Sequence, residues 1–304
     1  MSDSDRLIKF LFRGAPVRGE LVRVADAWRE MTAHHRYPAP VKRLLGEMVA
    51  AAALLASNIK FNGALIMQVH GDGPVKLLVV ECQPDLALRA TAKIGDEPVE
   101  DGASMGELIN RGGRGRFAIT LDPRDPLPGQ SPYQGVVSLD GESMADVLEA
   151  YMRRSEQLET RLVLAADDDA TAGLLLQRLP DHGGAAPVID EDAWDRATTL
   201  GATVRPEELL KLAPEALARR LYGQEQLDHQ ATLVPRFACT CSRERIGRML
   251  VSLGRDEVDS IIEELGAVTV TCDFCSRQYS FDAVDVVRLF VSGDAAEPDD
   301  RQRH

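Results

Sequence analysis

The chain has 304 residues, 44% of them apolar and 5% aromatic, with 48 acidic against 35 basic side chains and a formal net charge of −13. That length accommodates two domains, or one domain and a small module; the acidic excess disfavours nucleic acid as the main partner, and the shortage of aromatics disfavours a base-stacking platform. The most apolar window, 48–56, is about half the roughly 20 residues a membrane span needs, and the opening MSDSDRLIKF lacks a basic run followed by an apolar stretch, so a soluble cytoplasmic protein with no membrane partner is expected.

In chain order, 6–12 and 17–24 read as strands about a turn at Gly14, Ala15 and Pro16. A short helix over 25–35 is stopped by Pro38 and Pro40. A longer one over 41–59 carries Val41, Leu44, Leu45, Met48, Val49, Ala52 and Leu55 at the helical period. Strands are expected at 64–71, 75–82 and 86–93, the first two joined by a turn at Gly71–Pro74, then a short helix at 104–110. Strands at 117–121 and 135–139 flank a proline-rich loop. Ser143 is placed to cap a helix over 143–158, and strands at 161–165 and 173–179 close the region. Short turns between neighbouring strands imply an α+β domain over 1–180: an antiparallel sheet packed with helices.

Residues 180–187 are rich in Gly, Pro and Ala and mark a boundary. Helices are expected at 190–199 and over 206–222, with Pro206 and Pro214 as first-turn prolines. Their large apolar residues are few, so 181–236 reads as a helical linker of marginal stability that needs a surface to dock on. A small module over 237–291 follows, with helices at 243–253 and 256–265, a hairpin of strands at 268–271 and 279–281, and a further helical turn at 285–291. The polar tail 292–304 is expected to be disordered.

Four of the five cysteines, Cys239, Cys241, Cys272 and Cys275, fall within 37 residues as Cys-x-Cys, thirty residues, Cys-x-x-Cys. In a reducing compartment two close pairs separated by a folded segment form the pattern of a four-thiolate zinc site, expected to hold one zinc ion. Such a site leaves no position for water, so hydrolytic catalysis is not expected, and with no Ser/His/Asp or phosphate-binding motif the chain is read as non-enzymatic. Cys-x-Cys spacing gives little room for relaxed disulfide geometry, and a strained disulfide is readily reduced, which suits a reversible sensor. Arg236, Arg243, Arg245 and Arg277 either favour the thiolates that oxidants attack or are surface charges. Zinc contributes about 10–16 kcal/mol to small modules, whereas closing two very short loops by disulfides contributes only roughly 2 kcal/mol each. A module of about 50 residues has little core of its own, so oxidation with zinc loss should unfold it, loosen the linker and expose apolar surface.

Several stretches then resemble one family, the redox-regulated heat-shock chaperones of bacteria known as the 33 kDa chaperonin: CTCSRER at 239–245, CDFC at 272–275, VRGELV at 17–22, YPAPVKRLL at 37–45, QVHGDGPVKLLVV at 68–80, YQGVVSLDG at 133–141, RSEQLETRL at 154–162 and EELLKLAPEALARRLY at 207–222. The resemblance covers nearly the whole chain. It implies an ATP-independent holdase that is inactive when reduced and zinc-bound. Oxidants release zinc and form the disulfides Cys239–Cys241 and Cys272–Cys275. The C-terminal region then unfolds, and the protein becomes a homodimer that holds unfolding client proteins, with 1–180 binding clients and dimerising. One departure is Ser276, where the family commonly has Gly; a left-handed backbone there would be less comfortable.

Two other functions fit part of the pattern. A zinc-ribbon nucleic-acid-binding protein would keep its zinc under peroxide and bind with salt dependence. A thiol–disulfide oxidoreductase using Cys272 and Cys275 would turn over a disulfide, and its Cys-x-x-Cys would open a helix, whereas here a strand precedes it. Cys82 reads as a buried inert thiol, His34 and His35 as surface or capping residues at a helix end, His229 as a spare ligand that four thiolates make unnecessary, and 111–116, RGGRGR, as a solvated loop.

Overall fold

The computed structural model describes residues 4–59, 61–126, 131–180, 190 and 192–294. Most of the expected boundary segment (181–187) and most of the expected tail (from 295) lie outside them. The chain divides into two compact units, Met1–Ala238 and Cys239–His304.

In the first unit β1 (Arg6–Phe12) and β2 (Val17–Val24) pair antiparallel and are followed by α1 (Asp26–Thr32) and α2 (Ala39–Ala56). Then come β3 (Gly63–His70), β4 (Val75–Cys82), β5 (Ala87–Ile94), α3 (Met105–Ile109), β6 (Arg116–Pro123), β7 (Tyr133–Val137), α4 (Met144–Arg154), β8 (Thr160–Ala166) and β9 (Thr171–Arg178). The helices α5 (Ala193–Gly201), α6 (Pro206–Lys211) and α7 (Pro214–Tyr222) lead to β10 (Leu227–Leu233) and β11 (Arg236–Phe237). Where a single sheet was expected there are two, ordered β10-β1-β2-β9-β8 and β11-β5-β4-β3-β6-β7. All pairings are antiparallel except β11 with β5.

Helix α2 explains the two sheets. Its periodic face is buried as expected, but so are Ala50, Ala51, Ala53 and Leu54, each at 0% exposure. Its second half, 48–56, is apolar all round and so belongs inside, and the run of small alanines lets strands approach it from more than one side. It packs on β2, β8 and β9 of one sheet and on β3, β4 and β5 of the other. Ser104 and Ser143 open α3 and α4 with reciprocal capping boxes to Glu107 and Asp146, satisfying first-turn N–H groups.

The outer face of the five-stranded sheet is covered by α5–α7. Leu21, Leu174, Leu176, Leu209, Leu217 and Tyr222 are buried there in one cluster, and Tyr222 meets the rings of Phe10 and Phe12 at 5.9 and 5.1 Å. The expected helical stretch 206–222 is two helices because Pro214 lacks an N–H and forces Ala213 to an extended ψ of 142°. Strand β10 was not expected. It pairs with β1 to form one edge of its sheet, and β11 continues the chain along β5 at the edge of the other through Arg236 N–H to Leu86 O and Ala238 N–H to Leu88 O, each 3.0 Å.

The second unit contains α8 (Arg243–Leu253), α9 (Arg255–Leu265), β12 (Ala267–Thr271), β13 (Gln278–Asp282) and α10 (Ala283–Asp294). Ser242 caps α8 by accepting the Arg245 N–H, and Gly266 ends α9 in the left-handed region at φ 76°. β12 and β13 form the expected hairpin. Its core is Leu250, Val258, Val268, Tyr279, Phe281, Val286 and Phe290.

Candidate metal centre

The sulfurs of Cys239, Cys241, Cys272 and Cys275 lie within 4.8 Å of one another. Cys239 and Cys241 stand immediately before the capped start of α8, while Cys272 and Cys275 occupy the tip of the β12–β13 hairpin. Ser276 N–H bonds to Cys272 O at 2.8 Å and Cys272 N–H to Arg277 O at 2.9 Å, which curls the tip so that both of its sulfurs turn to the same side. Ser276 holds φ 56°, the left-handed backbone that glycine adopts most easily. The departure noted in the sequence therefore sits at a strained position.

Cys239 Sγ is 3.7 Å from Cys272 Sγ, and Cys241 Sγ is 3.4 Å from Cys275 Sγ. Four ligands at ~2.3 Å in a tetrahedron stand ~3.8 Å apart, so four soft thiol donors at this spacing fit a zinc-sized ion. The group can hold a metal ion, and it contains neither His229 nor any carboxylate. All four cysteines are free; Cys272 is buried and the other three are half-buried.

Around the sulfurs lie donors that favour thiolate. The Tyr279 hydroxyl donates to Cys241 Sγ at 3.1 Å. Burial opposes ionisation of Cys241, but the Tyr279 hydroxyl and the neighbouring thiols outweigh it and bring Cys241 down to about 7. Burial pushes Cys239 and Cys275 up, opposed by the backbone N–H groups of Cys241 and Arg277 respectively. Tyr279 was not singled out from the sequence. Its signal was register: opposite Val270 on the hairpin, its ring joins the core while its hydroxyl reaches the sulfurs.

Of the four arginines expected near the site, Arg277 interacts with Cys241 and Cys275. Arg243 is committed elsewhere, pairing with Asp285 at 2.5 Å and lying 4.2 Å over the Phe281 ring. Arg245 reaches Thr240 Oγ1 at 3.2 Å, and Arg236 pairs with Asp85 in the first unit. Cys82 is fully buried on β4, and burial raises its thiol far above the ordinary range, so it is inert. His229 sits on β10 and bonds Thr232 Oγ1 at 2.9 Å. The 111–116 loop is ordered by Asp72, which accepts the N–H groups of Gly112 and Arg114 at 3.0 and 2.9 Å and pairs with the largely exposed Arg114 side chain at 3.8 Å. No helix among the described residues is long and apolar enough to cross a membrane.

Comparison with known proteins gives one consistent picture. The family described as Hsp33 protein matches residues 5–282. The 33 kDa chaperonin of Chromobacterium violaceum is 47% identical over 290 residues, covering 95% of each chain. That of Azotobacter vinelandii is 45% identical over 303 residues, covering 98% of each. The crystal structure of the 33 kDa chaperonin from Thermotoga maritima superposes with a TM-score of 0.78, covering 95% of this chain and 99% of that one, at 17% identity, which shows a shared fold.

Proposed function

The chain belongs to the Hsp33 family of chaperones, and on that premise we propose that it is a redox-regulated, ATP-independent holdase of the cytoplasm that binds unfolding proteins and does no enzymatic work. The observation that carries this reading is the gathering of four sulfurs in a unit whose own core is a handful of side chains. Cys239, Cys241, Cys272 and Cys275 would hold one zinc ion, which when bound ties the hairpin tip to the start of α8 and supplies about 10–16 kcal/mol of folding free energy.

Oxidation takes two electrons from each cysteine pair. With peroxide, one S–S bond forms, one O–O bond breaks and two waters leave per pair. We assign the disulfides to Cys239–Cys241 and Cys272–Cys275. In the folded unit all four sulfurs lie within 4.8 Å of one another, with Cys239–Cys272 at 3.7 Å and Cys241–Cys275 at 3.4 Å. Once the unit unfolds, loop-closure entropy favours the partners nearest in sequence. Peptide mapping of the oxidised protein tests this assignment: within-pair bonds are expected, and cross-pair bonds would overturn it.

The client surface we assign to the metastable linker and what it covers. If α5–α7 lift from the five-stranded sheet, Leu21, Leu174 and Leu176 on the sheet and Leu209, Leu217 and Tyr222 on the helices become available together. Such surface is non-directional and accepts many clients. The activated form would be a homodimer through the 1–180 region. The test follows light scattering of a thermally unfolding client while released zinc is measured, with and without peroxide. Zinc release with suppressed scattering is expected; zinc release without it defeats the proposal. Retained zinc under peroxide with salt-dependent nucleic-acid binding would favour the zinc-ribbon alternative, and turnover of a disulfide substrate would favour an oxidoreductase.

A further inference from the structure

A cavity of about 240 Å³ in the first unit plays no part in the thiol chemistry. Both sheets contribute to its walls. Leu55 from α2, Leu65 from β3, Ile119 and Leu121 from β6 and Met152 from α4 give it an apolar body, and Arg18 and Gln177 give it a polar end.

The polar end is built rather than incidental. Arg18 and Gln177 face each other across β2 and β9. Gln177 is 1% exposed, and its Nε2 donates to Thr160 Oγ1 at 2.9 Å, which fixes its Oε1 toward Arg18 Nε at 2.8 Å. Arg18 is partly buried, and burial lowers its pKa against the opposing pull of the Glu20 charge. Among the described residues no carboxylate forms an ion pair with it. Glu20, two residues along β2, accepts the Ser57 hydroxyl at 2.6 Å and pairs with Lys9 at 3.4 Å. The carboxylate on the wall, Glu156, accepts the Tyr151 hydroxyl at 3.0 Å. Gly135 makes room for that hydroxyl: a Cβ there would stand 2.4 Å from Tyr151 Oη. The result is a positioned guanidinium with free donors at one end of an apolar chamber. A cation withdrawn from water is stabilised by an anion that can follow it there.

We propose that this cavity binds a medium-chain aliphatic carboxylate, its head on Arg18 and its chain along Leu65, Ile119 and Leu121. An apolar chamber with a few converging polar groups is the usual form of a small-molecule site. The site is independent of the sulfur cluster, so it stands or falls separately from the redox reading.

The experiment is calorimetric titration of the full-length, reduced, zinc-loaded protein with octanoate and, in parallel, with 1-octanol. Octanoate is expected to bind at one site per chain and more tightly than octanol. Arg18→Gln should weaken octanoate roughly tenfold to a hundredfold and leave octanol unchanged. Glu156→Gln keeps Arg18 in place and removes a like charge from the wall, so it should tighten octanoate alone. Leu121→Trp, which fills the chamber, should weaken both. Absence of saturable octanoate binding, equal affinity for the two ligands, or equal weakening of both by Arg18→Gln overturns the assignment.

Discussion

The two units solve the same problem with different means. The first buries Trp28, Leu45, Met48, Leu54, Met67 and Leu78 almost completely and wraps two sheets about one helix. The second has a small core, leaves Met249, Leu253, Leu265, Val284, Val287 and Val291 substantially exposed, and gathers four sulfurs at one end. Burial is spread over many side chains and tolerates the loss of any one. A cluster of ligands is concentrated, and its stabilisation disappears when one ligand changes its chemistry. Redox sensitivity can therefore reside in one unit while the α2-centred core of the other remains a stable scaffold.

The sharpest way to break this contrast is Cys272→Ser. It should forfeit much of the about 10–16 kcal/mol that a structural zinc site supplies. In hydrogen exchange, amides of β12 and β13 should lose protection while those of β3 to β6 keep theirs; uniform loss across both units would refute it. Tyr279→Phe should weaken zinc roughly tenfold in chelator competition, because a group orienting a ligand is removed. It also carries a pH signature in the metal-free protein. With Cys241 at about 7, below its ordinary 9.0, folding of the second unit gains stability as pH rises from about 7 to 9 and lacks that gain below about 7. In Tyr279→Phe this slope should flatten, and alkylation of Cys241 near neutral pH should slow.

Smaller effects sharpen the comparison. Ser242→Ala and Ser143→Ala remove equivalent helix caps, each at a cost of about 1 kcal/mol. The first should lower the temperature of zinc release and the second the melting of the first unit. If each moved both transitions equally, the units would not be energetically separate. Ser276→Gly should raise the zinc-release temperature slightly, by relieving about 0.5–1 kcal/mol of left-handed strain.

Much of this was legible in the sequence. The four ligand candidates were fixed by spacing alone, and α8 was expected with the bounds it has, 243–253. What escaped has physical reasons. β10 reads Leu-Asp-His-Gln-Ala-Thr-Leu and is largely solvent-facing at a sheet edge, so no apolar alternation marked it. β11 is two residues long and has no period to detect. The division into two sheets depended on small alanines of α2, whose burial on every side periodicity does not predict. The cavity at Arg18 is assembled from seven separate stretches of chain, and only their packing reveals it.

The segment 227–238 ends immediately before Cys239 and forms the outer strand of each sheet, β10 beside β1 and β11 beside β5. Were it to peel away, two rows of main-chain donors and acceptors would be bared at once. Open strand borders of this kind template further strands whatever their side chains. An extended polypeptide could then be gripped by its peptide groups, a mode of holding indifferent to its sequence.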